Sequence, residues 1–221
     1  MVDIFDEVEE ELRAERAQKL LKQYGGYIIA AALLIVGAAA GWQMWRWHEA
    51  RVDTAAAAQY INAMSLADDT VAGSGAANRT AAIGAFDRVI ADAPDGYRAI
   101  ARLRAAALQA DAGNLPGALG LWDQVAADTS LDPLLRDLAS LMWAEHQIDT
   151  GDPSLLEARL KALATPDNPW HALAEEQLAL LDMRLGKTDA AKTTLNQLAQ
   201  DTTAPNGLRA RVATLLNRLG G

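Results

Sequence analysis

The 221-residue chain contains no cysteine, which excludes disulfides, thiol catalysis and a lipidated-cysteine anchor. Aromatic residues make up only 5% of the chain although 51% of it is hydrophobic, so alanine and leucine must supply most of the buried surface. That composition suits helices packed closely on helices. Residues 52–221 carry 14 Lys and Arg against 21 Asp and Glu, a net charge of −7. An acidic domain makes nucleic acid an unfavourable partner, because phosphate binding needs a basic face.

Motifs for catalysis and cofactor binding are also missing. The sequence has no GxSxG element, phosphate loop or Rossmann glycine pattern. The three histidines, His48, His146 and His171, have no cysteine or histidine at metal-ligand spacing. We therefore expect a protein that is not an enzyme, with no cofactor, no metal site and no small-molecule substrate.

An uncharged run from Gln23 to Trp45 is the strongest positive feature, with Lys22 before it and Arg46 after it. A helix rises about 1.5 Å per residue, so a run of this length crosses the roughly 30 Å hydrocarbon core of a bilayer. Tyrosines at one end of the run and tryptophans at the other favour the lipid–water boundary. The pattern predicts a transmembrane helix over residues 23–47.

The positive charges beside this helix predict its orientation. Four precede it and two follow it: Arg13, Arg16, Lys19 and Lys22, then Arg46 and Arg51. This bias places the N-terminus in the cytoplasm. Residues 48–221 would then lie outside the inner membrane, in the periplasm of a Gram-negative cell.

Two alternatives to a retained anchor remain open. Ala38-Ala39-Ala40 resembles a signal-peptide cleavage site, but the apolar stretch is longer than usual for an export signal. A buried core helix is the other alternative. Gly37 and Gly41 form a GxxxG element, which predicts contact with another transmembrane helix, either a second copy or another protein. Small residues are also common in membrane helices without such a contact.

The segments on either side of the span are predicted to be mainly helical. Residues 1–22 form a charged cytoplasmic helix, with apolar residues at helical spacing. After the span, the helix is expected to continue to about Leu66. A linker containing Gly73 and Ser74 follows over residues 68–78. The connecting region therefore covers residues 48–78.

From residue 79 onward, the spacing of proline and glycine indicates a repeat. Pro94, Pro133, Pro169 and Pro205 follow one another at intervals of 39, 36 and 36 residues. Gly113, Gly151 and Gly186 alternate with them. Proline suits a helix start and glycine a helix stop, so each unit is a helix hairpin.

Small and large apolar residues recur at matching places in these hairpins. An alanine stands seven residues before each glycine: Ala106, Ala144, Ala179 and, before Gly220, Ala213. The second helices carry Ala82 and Phe86, Ala118 and Trp122, Leu156 and Leu160, and Ala191 and Leu195. The pattern resembles the tetratricopeptide repeat. The expected fold is all-α, with one N-terminal transmembrane helix followed by a short tetratricopeptide-like helix-hairpin solenoid over residues 79–221.

The whole layout resembles the YfgM family: a short charged helix, one span ending Gly41-Trp42-x-x-Trp45, and a small tetratricopeptide-like domain. That resemblance implies an accessory subunit of the SecYEG translocon. It would work with a membrane-anchored periplasmic chaperone, PpiD-like, on emerging secreted proteins. The alternative is an assembly scaffold for another envelope system, such as cytochrome c maturation or cell division.

The repeat resemblance implies a concave face built by the first helix of each hairpin, which is the usual binding surface of a solenoid. Carried over by alignment on the alanines, its residues are Ile100, Leu103, Leu138, Leu141, Glu145, Ile148, Leu173, Glu176, Leu180 and Met183. The last helix would add Gly207, Ala210, Thr214 and Asn217. This face is mainly apolar and is expected to hold an apolar segment of a partner. The alternative is that the helix around residues 55–66 fills it in cis.

Overall fold

A computed structural model describes residues 4–71 and 75–220 of the protein. The described chain is helical and contains no strand. Its helices are α1 (Ile4–Val71), α2 (Gly75–Asp92), α3 (Asp95–Asp111), α4 (Leu115–Ala127), α5 (Pro133–Glu145), α6 (Pro153–Leu163), α7 (His171–Arg184), α8 (Thr188–Gln200) and α9 (Asn206–Gly220). The all-α expectation is confirmed.

The chain divides into two compact units, Met1–Asp53 and Thr54–Gly221. From Ile29 to Trp47 the apolar side chains are exposed on all sides of the helix, with Leu34 75% and Ile35 70% accessible. Among the described residues one helix is long and apolar enough to cross a membrane, within Ile29–Asp68, judged by length and composition alone. Side chains this apolar are stabilised by leaving water, at roughly 25 cal/mol per Å². The first unit therefore holds a candidate membrane span.

The second unit is a chain of helices in which each of α2 to α8 packs on its successor. The part of α1 from Thr54 onward joins this stack, because Ala56, Ala63 and Ala67 are buried against α2 and α3. A connecting helix and a linker are predicted from the sequence over residues 48–78. In the structure, helix extends to Val71 and resumes at Gly75, so the end of α1 supplies the first helix of an extra hairpin with α2. Gly73 and Ser74 lie outside the described residues.

The small and large positions identified in the repeat form the core of the second unit. Ala106, Ala144 and Ala179 are fully buried, and so are the paired second-helix residues from Phe86 and Trp122 to Leu195. Ala213 is the exception, since it is exposed and its neighbour Val212 is buried. The alignment of the last helix therefore fails at its small buried position. Leu208 and Val212 set its register by packing in the core that α8 shares.

Glycine and proline mark the helix ends as expected at most positions. Gly113 and Gly186 have φ values of 83° and 74°, the left-handed backbone that glycine adopts at little cost. Pro133 and Pro153 begin α5 and α6. Gly151 differs, because it is not among the glycines with positive φ in the described chain. Gly151 lies in a longer turn, and its carbonyl oxygen accepts a 2.8 Å hydrogen bond from the Arg184 guanidinium.

Candidate functional site

An open groove of about 630 Å³ lies between α5, α7 and α9. Helix α5 contacts α7, and Arg211 of α9 reaches Glu176 of α7, so α7 forms the floor and the other two helices form the walls. The lining residues are Leu138, Leu141, Met142, Glu145, Leu173, Glu176, Gln177, Leu180, Arg211, Thr214, Leu215 and Arg218. We call this the α5/α7/α9 groove.

Six of the residues placed on the concave face of α5 and α7 line this groove together: Leu138, Leu141, Glu145, Leu173, Glu176 and Leu180. The positions that the repeat alignment assigned on α5 and α7 therefore meet in one groove. The leucines give the groove a mainly apolar surface, with a fringe of charged and polar groups.

The remaining predicted residues lie elsewhere. Leu103 and Ile148 pack against the core around Trp122, and Met183 packs against the C-terminal core. Ile100 is half-buried on α3. These four residues do not line the groove.

The glycines of the GxxxG element, Gly37 and Gly41, lie in the exposed part of α1. A side chain added at either would meet no atom within 4 Å.

The α9 wall is the part of the groove that the repeat alignment missed. Of its four expected positions only Thr214 lines the groove, and Arg211, Leu215 and Arg218 were overlooked. Leu208, Val212, Leu215 and Leu219 recur at helical spacing and mark the face that packs inward. This spacing of apolar residues is present in the sequence, and it predicts which face of α9 packs inward. The alanine before Gly220 does not.

An ion pair crosses the groove from floor to wall. The Arg211 guanidinium donates from Nε to Glu176 Oε1 at 2.9 Å and from a terminal nitrogen to Oε2 at 2.6 Å. The Glu176 side chain is only 5% exposed, whereas that of Arg211 is 55% exposed. Burying a carboxylate costs free energy unless the group is paired and hydrogen-bonded, and the bidentate contact with Arg211 supplies both. The hydrogen bond to Glu176 is the main reason that the pKa of Arg211 is raised, and the nearby Glu145 charge adds to the effect.

Two further charges face the groove without such a partner. Glu145 on α5 and Arg218 on α9 are both exposed, and neither forms an ion pair with any described residue. Gln177 is 8% exposed, and its side-chain oxygen is buried without a hydrogen bond. In the part of the chain that the structure describes, no group of three or more His, Asp or Glu could hold a metal ion.

The α1 segment from residue 54 does not contribute to this groove. Its Tyr60 ring packs against Phe86 and Tyr97, with ring centroids 5.6 and 6.3 Å apart. Burial there raises the pKa of Tyr60. No described residue of α1 from Thr54 onward lines the groove between α5, α7 and α9. In the alternative to a partner, residues 55–66 fill the concave face in cis, but in this segment Ala56 and Ala63 are buried against α2 and α3.

Residues 18–130 match the family model of the tetratricopeptide repeat-like domain. The match covers half of the chain. The chain belongs to the tetratricopeptide repeat-like family. No curated protein and no solved structure matches it. A tetratricopeptide repeat-like domain is a scaffold for protein–protein interaction, and such domains are typically non-enzymatic. The α5/α7/α9 groove lies C-terminal to the matched residues, so its identification rests on its own geometry.

Proposed function

We propose that the protein is a membrane-anchored, non-enzymatic binding subunit whose α5/α7/α9 groove holds an apolar segment of another protein. The observation that carries this proposal is the open groove itself, in which Leu138, Leu173 and Leu180 are partly exposed. A contiguous apolar surface of this kind marks a site for a partner or ligand. Segments with apolar residues at regular spacing use such grooves.

For the partners, we propose the SecYEG translocon and a membrane-anchored, PpiD-like periplasmic chaperone, with emerging secreted proteins as clients. The layout supports this proposal: the tetratricopeptide repeat-like match over residues 18–130 includes the candidate span, and further helix hairpins follow it. The N-terminus would be cytoplasmic and the repeat domain periplasmic, following the distribution of positive charge. The domain boundaries proposed are a charged helix over 1–22, a span over 23–47, a connecting region over 48–78 and a repeat domain over 79–221. Ala56, Ala63 and Ala67 of the connecting region pack into the core of the repeat domain.

Photo-crosslinking in living cells tests the groove. The crosslinkable residue replaces Leu138 or Leu180, because both side chains are partly accessible. Leu141 is a poor position, since it is only 4% exposed and its replacement would disturb the core. Leu155, 46% exposed on α6 and outside the groove, is the matched control.

We expect crosslinks to other proteins from the two groove positions and few from Leu155. Crosslinks only to residues 50–66 of the same chain would show that the groove is filled in cis. Equal yields from the control position would also contradict the proposal.

The identity of the partner needs a separate measurement. After extraction in mild detergent, the full chain is expected to co-purify with SecY. Co-purification with cytochrome c maturation or cell-division proteins, and not with SecY, would favour the scaffold alternative. Intact mass of the extracted protein tests the anchor, because cleavage near Ala40 would remove the candidate span.

A further inference from the structure

The groove is lined by helices alone, so most of its backbone N–H and C=O groups are hydrogen-bonded within those helices. Helices α5, α7 and α9 provide every lining residue, and the Thr214 hydroxyl donates to the carbonyl of Ala210 at 3.0 Å. No strand edge is present along these three helices to pair with an extended chain. An extended occupant would bury unpaired N–H and C=O groups, whereas a helix satisfies its own. The groove therefore favours a helical occupant.

The α5 and α9 walls of the groove carry charges of opposite sign. On the floor, Glu176 is neutralised by Arg211 through two hydrogen bonds. The α5 wall carries Glu145, and the α9 wall carries Arg218, both exposed and without an ion-pair partner among the described residues. A helix lying on the leucines would have one flank beside a negative charge and the other beside a positive charge.

We propose that the occupant is an amphipathic helix whose apolar stripe is flanked by a basic residue on one side and an acidic residue on the other. Turning such a helix end for end exchanges its flanks. The two wall charges therefore select one direction of binding as well as one class of sequence. This inference rests on the proposed function and adds the chemistry of the partner to it.

Three synthetic helices test the inference. All carry leucine at positions i, i+3, i+4 and i+7 with a photo-crosslinkable residue in that stripe. They differ only at the flanks: one lysine and one glutamate, two glutamates, or two lysines. The protein is the full chain in phosphatidylcholine nanodiscs, and the concentration for half-maximal crosslinking to groove residues is measured at low salt. Empty nanodiscs control for partition of the peptides into lipid.

On the native chain the mixed peptide is expected to half-saturate at a concentration about three- to tenfold lower than either uniform peptide, and the advantage should shrink in high salt. Glu145→Lys makes both walls positive and should favour the two-glutamate peptide. Arg218→Glu makes both walls negative and should favour the two-lysine peptide. Asp189→Lys, an exposed change on α8 outside the groove, should leave the order unchanged.

The outcomes separate the two proposals. If all three peptides half-saturate within twofold of one another on the native chain, the inference about charge is wrong while the apolar groove stands. If none crosslinks to groove residues, the proposed function also fails. Crosslinks that join two copies of the chain through the groove would replace the partner helix with a second copy and overturn the inference.

Discussion

Removing Arg211 while keeping Glu176 should destabilise the repeat domain more than removing both. In the native protein the guanidinium satisfies both carboxylate oxygens of a side chain that is only 5% exposed. Arg211→Met keeps much of the aliphatic bulk but leaves Glu176 charged, largely buried and without a cation. Glu176→Gln has the milder consequence, because the remaining Arg211 is 55% exposed and can be hydrated.

The magnitude follows from the geometry. Breaking a fully buried ion pair by deleting one partner costs about 3–5 kcal/mol. The groove is open at Arg211, so water can enter the space it leaves, and a loss of about 1–3 kcal/mol is the better expectation for Arg211→Met. For a domain of this size that loss lowers the Tm by roughly 3–9 °C. The double variant Glu176→Leu, Arg211→Met leaves no charge unpaired and should lie within about 1 kcal/mol of the native protein.

Urea unfolding of the full chain in detergent, followed by tryptophan fluorescence, measures these differences. Trp122 and Trp143 report on the core of the second unit. If Arg211→Met and the double variant were equally unstable, the loss would come from packing of the arginine stem, and the charge argument would be refuted.

Three further changes test other parts of the fold. Trp122 is fully buried, so Trp122→Ala should cost about 3–5 kcal/mol in urea unfolding, and a loss under 1 kcal/mol would contradict its place in the core. Gly113→Ala should destabilise by about 1 kcal/mol because φ is 83° there, whereas Gly120→Ala, inside α4 with open space around it, should stabilise slightly. Thermal unfolding of this pair would refute the argument if both changes had the same sign. The Ser130 hydroxyl is the main cause of the lowered pKa of Asp128, so this carboxylate contributes stability above its unfolded pKa that is lost as pH falls through the lower folded value. Ser130→Ala should raise the pKa of Asp128 in an NMR titration, and no change would exclude the hydrogen bond as the cause.

Much of the helix-hairpin layout could be predicted because it depends on local chemistry. Gly113 and Gly186 adopt the left-handed backbone that ends a helix, and prolines begin α5 and α6. The buried alanines and their large partners follow from helical periodicity, which a sequence displays directly. The prediction at Ala213 failed because it used spacing alone. Ala213 stands seven residues before Gly220 as in the other repeats, but Val212 is the residue that packs in the core.

The extra hairpin was missed for a related reason. Residues 54–71 continue the helix that contains the candidate span, so no proline or glycine separates them from it as a repeat unit. Their burial depends on α2 and α3, which their own composition does not reveal. The start of α2 was not predicted because the residues there are glycine, serine and alanine, a composition typical of a linker.

Local patterns were sufficient for the candidate membrane span, the all-α class and the repeat, because uncharged length, helical period and the backbone freedom of glycine act over a few residues. The groove was decided only by packing between helices. Glu176 and Arg211 are 35 residues apart, and they meet because Leu208 and Val212 set the rotation of α9 in the core it shares with α8. That rotation also turns Arg218 toward the groove, which Glu145 lines from α5. Charge placement across a groove depends on register between distant helices, which tertiary contacts alone establish.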